Sequence, residues 1–499
     1  MIFDKDNISG RNVCFYLNYV LGSPPLELHI ASIDDLLSRG NKITVYVCNK
    51  SLKSCTANPL NSPSVCRYCN YRITSSLNSY NKDIKVKEIN LAEFDVEVPD
   101  DIVESLNLGV MSSMASAVKA QSYEQLNSKW KSFHDNMLYS AKQLYNYFMH
   151  EIYINKFEYV FMFNGRFGDV KPVLEATRKS KINYGLLEVK KSLHELVFIN
   201  ELIHSIDGNT RRALSHYQKD NKVAFQQAKE FFSKKVNSED TGDPIYTKGQ
   251  VSGLLPDSII NTSNKIVAVY PTTDDEYKFI GAEWDGFVPE DQVDEINSLA
   301  KLLSGTNHTV IVKMHPNQAH TAEDVISRYL QLEEKYPHIV VEKPLSRKDS
   351  YALMRASDFV INFASTIGVE ACYAGKVVIS IGDTTFSKMN IGHNAKSGQE
   401  AAALILSKNL KPKPKLGAVI WGNYLSTYSD NLPAFKRVSN GVFHVNEEKI
   451  GRNRLLRILQ LPAKLKLEIL KPGFRFDLSF LINIKDLLLN IIFNKYSVK

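Results

Sequence analysis

The chain has 499 residues, 44% apolar and 23% charged, a globular composition that excludes an intrinsically disordered chain. The formal net charge is +7, and residues 451–499 alone hold ten Lys/Arg against three Asp/Glu, so the first 450 residues are near neutral and a nucleic-acid-binding core is not expected. No apolar leader and no run of about 18 uncharged apolar residues occurs, so neither an export signal nor a spanning helix is expected.

Taken in chain order, NVCFYL (12–17) reads as a buried strand. A Gly/Ser/Pro loop and a helical period ending at Gly40 follow, then a second strand, KITVYVC (42–48). This strand–helix–strand order opens a parallel, doubly wound sheet. Residues 106–154 carry a helical period; FEYVFMF (157–163) is a strand, 171–179 a helix, 183–187 a strand and 200–235 mainly helical. The Gly/Pro/Ser/Asp-rich segment 237–258 predicts the domain boundary. Beyond it a second α/β series runs: strands at 265–270, 309–313, 339–342, 359–361 and 377–381, with helices at 292–303 and 322–335. Length and this double series predict domains at 1–236 and 259–440, with a basic tail at 451–499.

Ligands of open parallel sheets bind at the carboxyl ends of the strands. Three strand ends of the second series offer polar groups to one rim: Thr272, Thr273, Asp274 and Glu276; Lys313 and His315; and Ser365, Thr366 and Glu370. Ser365 or Thr366 can cap the following helix, or the same helix start can receive a phosphate, with Gly368 removing a side chain from the approach. Lys313 and His315 add cationic or hydrogen-bonding capacity.

Cysteines 48, 55, 66 and 69 give C-x6-C-x10-C-x2-C. The closing CxxC fits the bite of one tetrahedral ion, which predicts a structural zinc; the alternative is four reduced thiols in a surface loop. Four thiolates would leave no open position for catalysis. Cys14 and Cys372 sit in apolar runs and read as core.

PTTDDE (271–276), VKMHPN (312–317) and SY-L---SDFVINFASTIGVEACYAGKVVISIG (350–382) resemble bacterial capsule and surface-polysaccharide glycosyltransferases of the GT-B fold. FNGR (163–166), KGQVSGLLP (248–256) and the cysteine cluster support the resemblance, which spans about residues 12–400 in motif order. It implies two Rossmann-like domains facing a cleft, with the nucleotide-sugar donor on the second and the acceptor on the first. By similarity to bacterial sialyl- and Kdo-transferases, His315, Ser365 and Thr366 would touch the donor phosphates and Glu370 the ribose or the loop. Two departures stand out: Val377 replaces the usual proline of a Gly-Lys-Pro, and Phe386 a common tyrosine.

Inverting transfer needs a base near the acceptor and stabilisation of the departing phosphate. Glu188 at a strand end is the favoured base, with Asp169 and Glu27 as alternatives. His315 and the helix start would stabilise the leaving group. Arg166 fits either an acceptor anion or a structural ion pair. No Asp-x-Asp metal motif stands at a strand end, so a metal-independent transfer with no catalytic cofactor is expected. The basic tail suits a helix on an anionic membrane surface or helices packed on protein. The expected place is the cytoplasm, at the inner face of the plasma membrane, with a glycan or lipid-linked glycan acceptor. Competing readings are a UDP-N-acetylglucosamine 2-epimerase or polyol-phosphate transferase on the same fold, and a non-enzymic assembly factor.

Overall fold

The structure is a computed structural model. It describes residues 8–470 except 23, 81–83, 121, 190–194, 240, 242–245, 248, 274–277, 281–288, 322, 408, 431, 433–434, 440–441, 446–447 and 452–459. The chain divides into two compact units, one of residues 1–203, 279–281 and 429–499, the other of residues 204–278 and 282–428.

The first unit runs β1 (Asn12–Leu17), α1 (Pro25–Ser38), β2 (Lys42–Cys48), α2 (Pro63–Tyr80), β3 (Lys85–Ile89), α3 (Asp100–Val118), α4 (Ser128–Asn155), β4 (Tyr159–Phe163), α5 (Lys171–Lys179), β5 (Asn183–Val189) and β6 (Glu195–Ile199). Its sheet order is β3-β2-β1-β4-β5-β6, parallel except for β6, which pairs antiparallel with β5. The run NVCFYL is buried on both faces because helices cover both sides of a parallel sheet. The single helical period expected over 106–154 is two helices, α3 and α4. The Asn127 side chain starts the second by accepting from the amides of Lys129 and Trp130.

The second unit runs α6 (Ile206–Lys219), α7 (Asn221–Val236), β7 (Lys265–Tyr270), α8 (Gln292–Leu303), β8 (His308–Lys313), α9 (Glu323–Lys335), β9 (Ile339–Glu342), α10 (Ser350–Ala356), β10 (Phe359–Asn362), α11 (Ile367–Tyr373), β11 (Val377–Ile381), β12 (His393–Ala395), α12 (Gly398–Leu406) and α13 (Leu416–Thr427). Its order, β12-β11-β10-β7-β8-β9, repeats that of the first sheet when each is counted from its own first strand. Both are Rossmann-like. Alternation along the strands splits the interior in two: Val267, Val269, Val310 and Val312 face one core, Ala268, Tyr270, Ile311 and Val360 the other.

The Gly/Pro-rich segment is where the sequence reading set its boundary, yet contacts place α6 and α7 with the second unit. Apolar packing is the reason. Ala213, Ala228, Phe231 and Phe232 join the core that contains Val360 and Trp421. The Phe232 ring stacks on Tyr373 with centroids 4.1 Å apart, and Gly422 makes room for it, since a Cβ there would lie 2.7 Å from that ring.

After α13 the chain returns to the first unit as a small antiparallel sheet, β13 (Phe435–Ser439), β14 (Val442–Val445) and β15 (Glu448–Gly451), followed by α14 (Leu461–Ile469). Leu467 and Leu470 pack on the cluster around Trp130 and Phe133, and the Leu470 carbonyl accepts from Trp130 Nε1 at 2.8 Å. This described part of the basic tail therefore packs on protein; residues 471–499, on which most of the membrane-surface expectation falls, lie outside the described residues.

Replacing Phe232 by Ala should remove about 3–5 kcal/mol from the second unit, read as an earlier denaturant midpoint for that unit's transition. An unchanged midpoint would show that α7 is not part of this core.

Candidate active site

In a doubly wound sheet, successive crossovers change face at one point, and a crevice opens there at the carboxyl ends of the strands. In the second unit this point lies between the neighbours β7 and β10. The loop after β7 carries Thr272 and Thr273, and the loop after β10 carries Ala364, Ser365 and Thr366. The rim residues Thr272, Thr273, Ser365 and Thr366 thus come from the two strands that flank the crevice.

The β10 loop turns abruptly. Ala364 has φ +57°, a left-handed conformation that costs a Cβ-bearing residue energy. Ser365 Oγ accepts weakly from the Ile367 amide at 3.5 Å. Thr366, the residue preceding α11, is exposed and makes no side-chain cap bond. Gly368 has a different role from the one expected. A Cβ on Gly368 would stand 2.6 Å from Asn362 Nδ2; that fully buried side chain donates to Ser380 Oγ at 3.0 Å. The missing side chain therefore makes room for Asn362, which braces the strand end beneath the loop.

Beyond β8, His315 heads a short 3-10 turn, Pro316–His320. Its Nδ1 accepts from the Asn317 amide at 3.2 Å. In the neutral imidazole that assignment puts the proton on Nε2, a hydrogen-bond donor. The Tyr246 ring meets the imidazole edge-on, centroids 4.6 Å apart. Lys313 goes elsewhere. It is paired across the sheet with Glu342, buried, and donates to the Ser346 carbonyl at 3.2 Å. Burial pulls its ammonium below its ordinary range, against the opposing charges of Glu342 and Asp349. The structure therefore turns Lys313 toward the β9–α10 connection. Glu370 is buried and near enough to Tyr270 that its charge, after burial and Asp349, helps push that phenol up. Glu276 and Asp274 lie outside the described residues.

Two glutamines that sequence reasoning missed hold the rim together. Gln292 accepts from the Thr272 amide at 3.0 Å and donates to the Thr272 carbonyl at 3.1 Å. Gln318 accepts from the His315 amide at 2.8 Å and donates to the Thr272 carbonyl at 3.4 Å and Tyr329 Oη at 3.3 Å. Gln318 thereby ties the loop after β7 to the turn after β8. The segment after residue 248 docks on α10: Gln250 and Ser350 exchange two hydrogen bonds, and Asp349 Oδ2 accepts from the Gly253 amide at 2.8 Å.

In the first unit the corresponding crevice lies between β1 and β4. Asn18 spans it, donating to the Phe163 carbonyl at 3.1 Å and accepting from the Phe163 amide at 2.9 Å. Asn164 (φ +67°) and Gly165 (φ +84°) turn the chain sharply after β4. Asn164 Nδ2 donates to Glu188 Oε2 at 2.5 Å, and Glu188 Oε1 accepts from the Val189 amide at 2.9 Å. Glu188 is half-buried with both carboxylate oxygens hydrogen-bonded, and burial raises its pKa; the Val189 amide, Asn164 and the Arg166 charge oppose that rise. The Arg166 guanidinium lies over Phe167, 4.8 Å from the ring centre.

Asp169 is buried and accepts from the Thr56 hydroxyl, with burial raising its pKa. Glu27 is committed to structure: Arg72 donates to it at 2.6 Å, both side chains being buried. Arg72 also donates to the carbonyls of Val20 and Gly22. Burial lowers the neighbouring His29 to about 4, so it is neutral. The structure therefore joins Glu188 to Asn164 and Asp169 to Thr56, and removes Glu27 from the candidates.

Cys48, Cys55, Cys66 and Cys69 line one cavity, as does Asp169. Among the described residues, no group of three or more His, Cys, Asp or Glu is placed to hold a metal ion, so the expectation of a zinc clasp finds no support here. Cys14 and Cys372 are fully buried among apolar neighbours.

No protein-family model and no curated protein matches the sequence. Among solved structures, the chain is similar to Thermosulfurimonas dismutans KpsC, beta Kdo 2,7 transferase, at 15% identity and a TM-score of 0.33, over 55% of this chain and 79% of that one. It is also similar to a putative UDP-N-acetylglucosamine 2-epimerase from Listeria monocytogenes at 9% identity and a TM-score of 0.27, over 82% and 93%. The likeness to CalG4, the calicheamicin glycosyltransferase, has 10% identity and a TM-score of 0.26, over 83% and 94%. At these values the likenesses carry no argument about function.

Gln318→Ala leaves the His315 amide and the Tyr329 hydroxyl without this partner, and should cost about 1–3 kcal/mol. It should also free the turn at His315, seen as faster hydrogen exchange of the Asn317 and Gln318 amides. Unchanged exchange would show that the turn does not depend on this side chain.

Proposed function

We propose that the chain is a glycosyltransferase that moves a sugar from a nucleotide-sugar donor to a growing surface polysaccharide, either a glycan or a lipid-linked glycan. One observation carries this reading: the hydroxyl-bearing loops after β7 and β10 flank the switch point of the second sheet, and Gln318 ties the first of them to the His315 turn. In this reading Ser365 and Thr366 take the donor phosphate through hydroxyls and backbone amides, with Thr272 on the facing loop. His315, protonated on Nε2, donates to the oxygen that becomes negative as the sugar–phosphate bond breaks. Lys313, committed to the Ser346 carbonyl, takes no part in holding the phosphate in this reading.

Glu188 is the proposed base. It takes the proton of the attacking hydroxyl as the new glycosidic bond forms, and the nucleotide departs with the electron pair of the bond that breaks. Burial raises its pKa, which makes it a stronger base than an exposed carboxylate.

A thermal-shift screen against UDP-, GDP-, CMP- and CDP-linked sugars tests the donor half. The correct class at about 100 times its Kd should add about 2.7 kcal/mol to the stability of the chain, and His315→Ala should abolish most of that gain. Stabilisation by no nucleotide sugar would sink the reading. Isomerisation of UDP-N-acetylglucosamine without an acceptor would replace it with the epimerase.

The base is tested by pH. With its pKa raised in the folded state, Glu188 favours folding below the ordinary carboxylate range, and that contribution is lost as pH rises through its raised value. Glu188→Gln should therefore leave the melting temperature at neutral pH unchanged or higher. The same change should lower kcat about 100-fold or more and remove the acid limb of the kcat/KM profile. Persistence of that limb would assign the base elsewhere, with Asp169 next in line.

A further inference from the structure

The segment that the sequence sets as a domain boundary places an aromatic ring on the candidate site. Tyr246 meets the His315 imidazole edge-on, with ring centroids 4.6 Å apart and planes at 66°. Its Oη accepts from Asn317 Nδ2 at 3.3 Å. Asn317 is also the residue whose backbone amide donates to His315 Nδ1. One tyrosine therefore touches both the imidazole and the residue that selects its tautomer, and all three belong to the second unit.

The last torsion of an imidazole side chain has two wells half a turn apart. A half-turn exchanges Nδ1 with Cδ2 and Nε2 with Cε1, so a C–H would stand where the N–H donor belongs. The Asn317 amide selects between the wells, but at 3.2 Å its bond is at the long end of the normal range. Edge-to-face contact with Tyr246 adds a second preference. The tyrosine is itself held on both sides. The Thr247 and Ser238 hydroxyls are hydrogen-bonded at 2.6 Å just beyond α7. The Thr247 carbonyl accepts from the backbone amide of Gln250 at 2.9 Å, and Gln250 is fastened to Ser350 of α10. Tyr246 stays 38% exposed, so the contact does not serve to bury a core side chain.

We propose that Tyr246 is a positioning residue: it holds the His315 ring with Nδ1 toward Asn317 and the proton on Nε2. The proposal rests on the reading of His315 as donor to the departing phosphate oxygen. That hydrogen bond gains strength as charge develops on the oxygen, so it is sensitive to a ring that spends part of its time turned over. Tyr246 itself touches no reacting atom in this assignment.

The orientation of the ring can be read without substrate. The test is a two-bond nitrogen–proton correlation spectrum of the full chain carrying isotope-labelled histidine, at about pH 8.5, above the ordinary imidazole range. His315→Asn identifies the His315 signals. The expected wild-type ring has a protonated Nε2 and an unprotonated Nδ1. In Tyr246→Ala the shifts should move toward those of a free imidazole, which exchanges between both tautomers. The same change should lower kcat/KM for the stabilising nucleotide sugar about 10- to 100-fold. Tyr246→Phe keeps the ring and should fall between wild type and Tyr246→Ala in both readouts. Tyr246→Leu keeps bulk but no ring, and should match Tyr246→Ala or replace it where that variant does not fold. Unchanged ring shifts in these ring-less variants would overturn the proposal, and so would full kcat/KM in a variant whose shifts have moved. A wild-type ring that already mixes both tautomers would overturn it too. A tautomer change in a chain that no nucleotide sugar stabilises would remove the donor reading and uphold the hold on the ring.

Discussion

The structure depends on one constraint of parallel sheets: each strand must be reached by a crossover of fixed hand, and the crossovers must change face once. In both six-stranded sheets this change falls beside the first strand, between β1 and β4 in one unit and between β7 and β10 in the other. Helices cannot close the sheet edge at that point, so the loops there carry polar side chains, from the exposed Thr366 to the buried Thr273 and Asn164. The hydroxyls after β7 and β10, and the Asn164–Glu188 pair near the β1–β4 crevice, follow from the same topological rule.

A crevice alone does not fix a loop. In the second unit the fixing is done by neutral amide side chains: Gln292 grips both polar atoms of the Thr272 backbone, Gln318 joins two loops, and Asn362 props the strand end under Gly368. In the first unit Asn18 does the same between β1 and β4. Amides satisfy buried backbone groups without the desolvation cost of a charge. The buried Glu27–Arg72 pair is the contrasting case. It holds the Val20–Gly22 backbone with an ion pair whose removal on one side would strand a buried charge.

Much of this was legible in the residues. Strands buried on both faces announce themselves as apolar runs, as in NVCFYL, KIVAVY and FVIN. The edge strand β3, KVKEI, is mostly solvent-facing and carries lysines, so it has no apolar run to read. α2 is polar along most of its length, and its helical period is faint. At the site, the FAST turn and the His-Pro pair could be found from type and position. Lys313 could not be placed, because its neighbour in sequence, His315, gives no hint of the cross-strand partner Glu342 that draws it inward. The glutamine braces on Thr272 were invisible for a related reason: that backbone lies 20 residues from Gln292 and 46 from Gln318, and only the bond from the His315 amide to Gln318, three residues on, belongs to a local capping pattern. The room that Gly368 leaves for Asn362 is likewise a contact between strand end and helix that the local sequence does not display.

The second unit is, in chain terms, an insertion within the first, whose small antiparallel sheet and α14 come only after residue 428. On the ribosome, therefore, the earlier part of the first unit emerges with the Trp130 surface uncovered and waits while the whole inserted unit is synthesised. Domains tend to complete in order of synthesis, but here the middle must finish before the beginning can. Leu467 and Leu470 reach the Trp130 cluster only after the inserted unit has been made.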